Sequence, residues 1–493
     1  MNTLEERHFH AFYHNFGRPS YHPKMLLAAL LFAYSQGIFS GRKIEKMMIE
    51  NLAMQYLTGQ LVVSYRTINR FRVAAGMEEL IRDLFIDLNL RLKLEELVTL
   101  DCLFIDGTKI EANANKYSFV WKKATDKFSV KLQEQIQVYF QEEITPLIHQ
   151  AIALDEKESI TSEQLTEFAQ VLEEELAKLS QDIEETPVKG KDERKTQRRK
   201  LKKVLRKVKE DFSVCAKKYE SYQETFDGRN SFSKTDPDAT FMRMKEDYMK
   251  NGQLKPGYNV QIATEGQYSL AYDLFPNPTD TRTLKPFLDV IESSYFALPE
   301  YIVADAGYGS EENYVDIIEN RQLTPLITYG MYLKEQERRY KKDAFKTANW
   351  DYETVDDYYT CPNGKRLIFK YNSQRKDKNG FVRNFRVYEC EDCCNCPYRS
   401  QCCKAKEGNN RKISINVKWE QQKEYIRAQL SDKKTGKIYK RRKIDVEPVF
   451  GFLKANLRFN RFTVRGKFKA KIEMGLALMA VNLRKYMQHT AAV

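Results

Sequence analysis

The sequence predicts a mixed α/β core joined to a helical N-terminal domain, a helical insertion and a small cysteine-rich insertion. Residues 256–280 alternate apolar and polar side chains around a Glu265-Gly266 turn, and segments with helical and strand-like spacing follow them. A hairpin followed by alternating helix and strand favours a mixed sheet. Charge and cysteine content set the two insertions apart. The predicted boundaries are 1–97 for the N-terminal domain, 98–119 with 225–335 for the first part of the core, 120–224 for the helical insertion, 336–436 for the cysteine-rich insertion and 437–493 for the C-terminal helices of the core.

The N-terminal region is predicted to be helical over residues 23–57, where apolar side chains recur at three- and four-residue spacing. Ser64 can cap a further helix, whose outer face is expected to carry Arg66, Arg70 and Arg72. A helix, a turn and an arginine-bearing helix are compatible with helix-turn-helix DNA binding. An ordinary helical bundle with a charged outer face explains the same pattern equally well.

The charge balance points to a polyanionic partner. The chain of 493 residues has 81 lysines and arginines against 68 acidic residues, which gives a net charge of +13, and nucleic acid is the simplest such partner. A hydrophobic content of 42% excludes a disordered chain. A polar start and the absence of any apolar run of 18 residues predict a cytoplasmic protein without a membrane span. With six histidines, four of them before residue 23, catalysis by a central histidine is not expected.

The helical insertion is predicted to contain an antiparallel pair of helices with opposite charges. Its acidic arm places apolar residues at helical spacing among glutamates, and its basic arm, residues 189–210, carries twelve basic and three acidic residues. The basic arm either contacts phosphates or pairs with the acidic arm. Because opposite charges on neighbouring helices already explain the pattern, the sequence favours the second interpretation.

The cysteines indicate a metal site. Seven of the nine lie between residues 361 and 403, and Cys390, Cys393, Cys396 and Cys402 form a C-x2-C-x2-C-x5-C arrangement. Four thiolates within a dozen residues suit a tetrahedral structural Zn²⁺. An iron–sulfur cluster takes the same ligands, and reduced cysteines without metal are the remaining alternative.

Three acids stand out because two of them follow apolar runs and the third precedes apolar residues at helical spacing. Asp106 and Asp305 are expected at the ends of buried strands, beside Gly107 and Gly307, and Glu447 precedes Pro448, which suits the first turn of a helix. Converging carboxylates would bind divalent cations, and two Mg²⁺ ions about 4 Å apart are able to clamp both oxygens of a phosphodiester displacement. Aspartates in local turns and a glutamate at a helix start are the competing explanation.

These stretches together resemble the DDE-type transposases of bacterial insertion sequences, whose catalytic core is ribonuclease-H-like. The resemblance covers most of the chain except the helical insertion. The segments that carry it are "YHPKMLLAALLFAYSQGIFSGRKIE", "FIDGTKIEANANK", "DPDATFM", "GYNVQIATE", "VADAGYGSEEN" and "EPVFGFLKANLRFNRFTVRG".

The resemblance implies that Asp106, Asp305 and Glu447 hold Mg²⁺ or Mn²⁺. It also implies a Tyr–Arg–Glu–Lys signature around the last acid, and six residues separate Glu447 from Lys454, as the pattern expects. Lys454 would contact a phosphate near the cleaved bond.

Tyr439 and Arg442 have the expected two residues between them, but four residues separate Arg442 from Glu447 where the pattern has three. Lys443 stands at the expected arginine position. The resemblance therefore gives Tyr439 and Arg442 their catalytic roles with one departure from the family's spacing.

The implied partners are double-stranded DNA at the terminal repeats and at the target, and a second copy of the chain. Joining two DNA ends requires a homodimer or a larger synaptic complex, associated with the nucleoid. Arg461 and Arg465 are predicted DNA contacts beside the last acid, in addition to Arg66 and Arg70. A silent DNA-binding descendant of a transposase and a metal-dependent nuclease without strand transfer are the alternatives.

Overall fold

The computed structural model of the chain describes residues 5–13, 20–147, 159–244 and 252–491. The chain divides into two compact units. The first unit contains residues 1–110, 259–463 and 468–493, and the second contains residues 111–258 and 464–467. No helix in the described residues is both long enough and apolar enough to cross a membrane.

The N-terminal part of the first unit is helical, as predicted. Its helices are α1 (Pro23–Ser35), α2 (Gly41–Glu50), α3 (Leu52–Thr58), α4 (Tyr65–Arg72) and α5 (Met77–Leu94), preceded by a 3-10 turn at Glu6–Phe12. The Ser64 hydroxyl accepts a hydrogen bond from the backbone N–H of Arg66 at 3.3 Å, so the predicted cap of α4 is confirmed.

The outer face of α4 differs from the expectation at one position. Arg66 and Arg70 are exposed, whereas Arg72 is buried and pairs with Glu473 at 3.3 Å. The side chain of Arg72 lies on the same side of α4 as the buried residues Ile68 and Phe71, because residues three and four apart share a helix face.

The first unit is built around a mixed sheet. Strand β1 (Cys102–Glu111) lies between β5 (Leu254–Glu265) and the parallel strand β7 (Tyr301–Ala304). Strand β6 (Tyr268–Phe275) pairs antiparallel with β5, which confirms the predicted hairpin, and β8 (Thr324–Ile327) pairs parallel with β7. The apolar start of β1 is fully buried, since Leu103, Phe104 and Ile105 have no exposed surface.

The first unit also contains helices from the second half of the chain. These are α10 (Leu284–Ser294), α11 (Glu311–Val315), α12 (Tyr332–Gln336), α13 (Arg338–Lys341), α15 (Val417–Ser431), α16 (Lys433–Gly451) and α17 (Lys467–Ala491). Helix α16 contacts β6 and β7, and α15 contacts β8.

Pro448 lies inside α16 and not in a first turn, which corrects the expectation from the sequence. The helix begins fourteen residues earlier than Glu447, at Lys433, where Asp432 caps it by accepting hydrogen bonds from the N–H groups of Lys434 and Thr435. After Gly451 the chain continues into a π-helical turn, Phe452–Asn456.

The cysteine-rich segment has a separate antiparallel sheet. Its strands follow the order β13 (Lys412–Ile415), β12 (Val382–Cys390), β11 (Arg366–Lys376), β10 (Tyr358–Thr360) and β9 (Tyr352–Glu353), and the short helix α14 spans Arg399–Cys402. A small core containing Trp350, Leu367 and Tyr388 packs beside Cys390 and Cys393.

The second unit is mainly helical. The two helices expected in the insertion are α7 (Ser162–Glu185) and α8 (Glu193–Arg206), and they are flanked by α6 (Lys122–Tyr139) and α9 (Ser213–Phe226). The four helices share one apolar core. Strands β2 (Phe119–Trp121) and β3 (Ser231–Ser233) pair with each other, and β4 (Thr240–Arg243) pairs with the first residues of β5.

Candidate active site

Asp106 and Asp305 lie side by side at the centre of the mixed sheet. The parallel register pairs Cys102 with Tyr301 and Phe104 with Val303, and its continuation puts Asp106 opposite Asp305. Neighbouring strands are about 4.8 Å apart, so the two backbones come close at this point. Asp305 is the first residue after β7, as predicted, but Asp106 lies in the middle of β1, because this strand continues to Glu111.

Each aspartate also accepts a local hydrogen bond from the N–H of a nearby glycine. The N–H of Gly107 donates to Oδ1 of Asp106 at 2.8 Å, and the N–H of Gly307 donates to Oδ1 of Asp305 at 2.7 Å. The remaining carboxylate oxygens are not used by these local bonds. Local structure therefore explains part of each side chain's orientation without excluding a further role.

A third carboxylate, Asp280, lies beside both glycines and was not anticipated from the sequence. A methyl group added at Gly107 would lie 2.7 Å from Oδ1 of Asp280, and one added at Gly307 would lie 3.6 Å from Oδ2 of Asp280. Asp280 follows β6 in the segment "NPTDTR". An aspartate after a core strand is the same signal that identified Asp305, but Asp280 comes five residues after the end of β6 and not directly after it.

Buried polar side chains hold Asp280 in place. Asn259 and Gln261, both on β5 and fully buried, donate hydrogen bonds to Oδ1 of Asp280 at 2.8 and 3.1 Å. The hydroxyl of buried Tyr308 donates to Oε1 of Gln261. Burial raises the pKa of Tyr308 well above its ordinary value, and the charges of Asp280, Asp106 and Asp305 raise it further. The three carboxylates thus act on one buried phenol.

Helix α16 brings Arg442 to this carboxylate group. Its Nη1 lies 3.9 Å from Oδ2 of Asp106, and both side chains are largely buried, at 15% and 18% exposure. Tyr439, one turn earlier, has its hydroxyl 3.2 Å from Oγ1 of Thr328, just beyond β8. The predicted arginine is therefore in contact with the first predicted acid despite its unusual spacing from Glu447.

Glu447 does not join this group. Its side chain is exposed on α16 and makes no hydrogen bond or ion pair with other described residues. Five residues along a regular helix correspond to a rotation of about 140°, so Arg442 and Glu447 face different directions. Lys454 is half-buried in the π-helical turn that follows.

The predicted DNA-contact arginines are accessible. Arg66, Arg70, Arg461 and Arg465 are all exposed. The Nε of Arg465 donates to the backbone carbonyl of Asn113 at 2.9 Å, which fixes part of this side chain.

The four cysteines of the predicted metal motif line one cavity, and Cys361 lines it with them. Burial raises the pKa of Cys390 to about 12, and the neighbouring Cys393 adds to this. Burial also raises the pKa of Cys402, although the guanidinium of Arg411, whose Nη1 is 2.7 Å from Sγ of Cys402, opposes the shift.

Within the ranges that the structure describes, no group of three or more Asp, Glu, His or Cys side chains is arranged so that it could hold a metal ion. The donor types nevertheless fit the expected metals. The carboxylates of Asp106, Asp305 and Asp280 all lie beside Gly107 or Gly307, and carboxylate oxygens are the ligands that Mg²⁺ prefers. Thiols, which become soft ligands on deprotonation, line the cysteine cavity.

Two regions of the chain, one near each end, match known protein families. Residues 360–487 match the family described as "Transposase DDE domain", and residues 2–74 match the "Transposase domain (DUF772)". The resemblance to DDE-type insertion-sequence transposases is thereby confirmed. The first match contains α16 with Arg442 and Glu447, whereas Asp106 and Asp305 lie outside both matches. No curated protein and no solved structure matches the chain.

Proposed function

We propose that this protein is a DNA transposase that cleaves the ends of an insertion sequence and joins them to target DNA by metal-dependent phosphodiester chemistry. The observation that carries the proposal is the register of β1 and β7, which sets Asp106 opposite Asp305 beside Arg442. The transposase matches at both ends of the chain support it.

The sheet supports the further proposal of a ribonuclease-H-like core. An antiparallel hairpin, β5–β6, lies on one side of β1, and two parallel strands, β7 and β8, lie on the other. Asp106 is in the central strand, and the helix that bears Arg442 packs against this sheet.

In this proposal Asp106 and Asp305 hold Mg²⁺ or Mn²⁺. When bound, the metal supplies Lewis-acid stabilisation of the phosphoryl oxygens and activates the attacking oxygen. Arg442 neutralises charge beside Asp106 and is available to a phosphate oxygen of bound DNA. Glycine at 107 leaves room for the buried side chain of Gln261 and for Asp280, which a Cβ at this position would meet at 2.3 and 2.7 Å. Tyr439 and Lys454 keep the roles that the family signature gives them.

The third carboxylate has two candidates. The family signature gives this role to Glu447, which reaches the site only if α16 turns. Asp280 lies beside both glycines in the present arrangement. We propose Glu447 as the third acid and Asp280 as a positioning residue, which keeps Asn259 and Gln261 in place under the site.

Double-stranded DNA is the proposed partner, bound through the net charge of +13 and through Arg66, Arg70, Arg461 and Arg465. Two DNA ends are joined in a homodimer or a larger synaptic complex. A structural Zn²⁺ on the cysteine cavity would stabilise the small segment that precedes α15 and α16.

The test compares single variants of the full chain in Mg²⁺ and Mn²⁺. The substrates are duplexes taken from the DNA that borders the reading frame, both intact and pre-cut to a 3′-OH, with a supercoiled plasmid as the target. Asp305→Asn is expected to lower cleavage and joining by roughly 100-fold or more while DNA binding persists. Asp351→Asn, an exposed aspartate outside the site, is the matched control.

The outcomes separate the alternatives. Cleavage without joining of pre-cut ends would identify a nuclease, and equal activity of Asp305→Asn and wild type would refute the proposed site. Glu447→Gln and Asp280→Asn decide the third acid. Complete loss of metal-dependent activity in Glu447→Gln, with partial loss in Asp280→Asn, is the expected pattern, and the reverse pattern would transfer the role to Asp280.

A further inference from the structure

Helix α8 presents a row of basic residues that the proposed active site does not use. Its fourteen residues include eight lysines and arginines and one acid, Glu193. Four exposed cations of this helix, Lys195, Arg199, Lys202 and Lys203, are called here the α8 basic face. At 100° per residue they fall within an arc of about 100°, and at 1.5 Å per residue they extend over about 12 Å.

The acidic arm does not neutralise this face, contrary to the interpretation that the sequence favours. In the described part of the chain one ion pair joins the two arms, between Lys209 and Glu173 at 2.6 Å. Arg206 and Lys207 pair with Glu210 and Asp211, each of which lies four residues further along the chain.

No ion pair within the described ranges involves any residue of the α8 basic face. The packing of the two arms explains this separation. Leu201 and Val204 are the buried residues of α8, and they pack with Leu172 of α7 in the core of the second unit. Val204 is about 180° around the helix from Lys195, so the cations point away from the acidic arm.

We propose that the α8 basic face binds the sugar-phosphate backbone of duplex DNA. A group of uncompensated cations on a solvent-facing helix surface is costly through mutual repulsion unless a polyanion neutralises it. The face contains no aromatic residue for base stacking, so the recognition is of phosphates and not of sequence. This inference rests on the proposed function for its choice of DNA as the polyanion.

The experiment measures the salt dependence of DNA binding by the full chain. A labelled duplex of unrelated sequence is titrated with protein over a series of NaCl concentrations without divalent metal. The test variant is Arg199→Gln/Lys202→Gln/Lys203→Gln. The matched control, Arg206→Gln/Lys207→Gln/Lys209→Gln, removes the same charge from cations that already have carboxylate partners.

Each phosphate contact contributes about 0.9 to the slope of log K against log salt. The test variant is therefore expected to lower the slope by roughly 2 to 3, and the control to lower it by less than about 1. Equal changes in the two variants, or no change in either, would overturn the inference. The inference would also be overturned if the test variant lost binding to duplex RNA but bound duplex DNA like the wild type.

Cleavage and joining assays on the same variants separate this inference from the proposed function. If Asp305→Asn has no effect on chemistry while the test variant still lowers the slope, the proposed active site fails and the DNA-binding face stands. If Asp305→Asn abolishes the chemistry while both triple variants bind like wild type, the face fails and the active site stands. Thermal unfolding of both triple variants checks that each is folded.

Discussion

The buried ion pair between Arg72 and Glu473 joins the two regions that match transposase families. Arg72 ends α4 in the N-terminal match, and Glu473 lies on α17 in the C-terminal match. Their side chains are 6% and 0% exposed, and Tyr34 donates a hydrogen bond to the same carboxylate oxygen at 3.4 Å. Thr463 donates to the carboxylate through both its N–H and its hydroxyl.

Replacing Arg72 with alanine is expected to destabilise the first unit by about 3 to 5 kcal/mol, because it leaves a buried carboxylate without its cation. The donors from Tyr34 and Thr463 remain, which favours the lower end of this range. The matched control is Arg91→Ala, since Arg91 pairs with Glu95 at 2.9 Å on the surface, with 54% and 36% exposure. An exposed pair of this kind contributes little to stability, so Arg91→Ala is expected to cost much less than Arg72→Ala.

Urea unfolding followed by circular dichroism and by tyrosine and tryptophan fluorescence measures both variants. Coincidence of the two signals is required before free energies are compared, because a chain with two units is able to unfold in steps. Removing both charges with Arg72→Leu/Glu473→Leu is expected to cost less than the sum of the single changes. If Arg72→Ala costs no more than Arg91→Ala, the contact does not hold the two regions together and the reasoning fails.

Three further changes test the site, the second unit and the cysteine cavity. Gly107→Ala puts a methyl group 2.3 Å from the buried amide nitrogen of Gln261, so it is expected to lower the free energy of unfolding by about 1 to 3 kcal/mol and to lower cleavage. The control is Gly330→Ala, whose methyl group meets nothing within 4 Å. Thermal unfolding and plasmid cleavage are measured for both variants. Burial raises the pKa of Asp236 in the second unit above its ordinary 3.8, so the folded protein keeps this proton to a higher pH than the unfolded chain does. The stability of the wild type relative to Asp236→Asn is therefore expected to be greatest below pH 3.8 and to fall as pH rises through the raised pKa. Urea unfolding at several pH values measures this change. Cys396→Ser is expected to lower bound zinc and thermal stability, whereas Cys215→Ser leaves the bound zinc unchanged. Atomic absorption that finds no zinc in the wild type would refute this expectation.

The elements with strong local signals were predictable. The alternation of Tyr258, Val260 and Ile262 gave the β5–β6 hairpin, because one-sided periodicity fixes strand register. Ser64 gave the start of α4, since its hydroxyl satisfies an N–H that the helix leaves unpaired. In both cases residues close in sequence determine the structure.

Features that depend on partners far along the chain were not predictable in the same way. Gly107 suggested the end of a strand, yet β1 continues past it, and side chains from β5 together with Asp280 occupy the space that a side chain at Gly107 would fill. Arg72 was assigned to the outer face of α4, and only the distant Glu473 explains its burial. Asp280 was missed because the amides that support it are on another strand.

The rotation of α16 decides which carboxylate completes the proposed site, and packing sets this rotation. Val446 and Val449 are buried on either side of Glu447 in the sequence, so the helix presents Glu447 to solvent. Turning the helix to bring Glu447 toward Asp106 would expose both valines, at a cost of about 1.5 to 3 kcal/mol each. Bound metal and DNA must offset this cost if Glu447 is the third acid, whereas Asp280 needs no such rotation. Substituting Val446 with threonine lowers the cost of exposing this side chain, so it is expected to increase cleavage under the first assignment and to leave cleavage unchanged under the second.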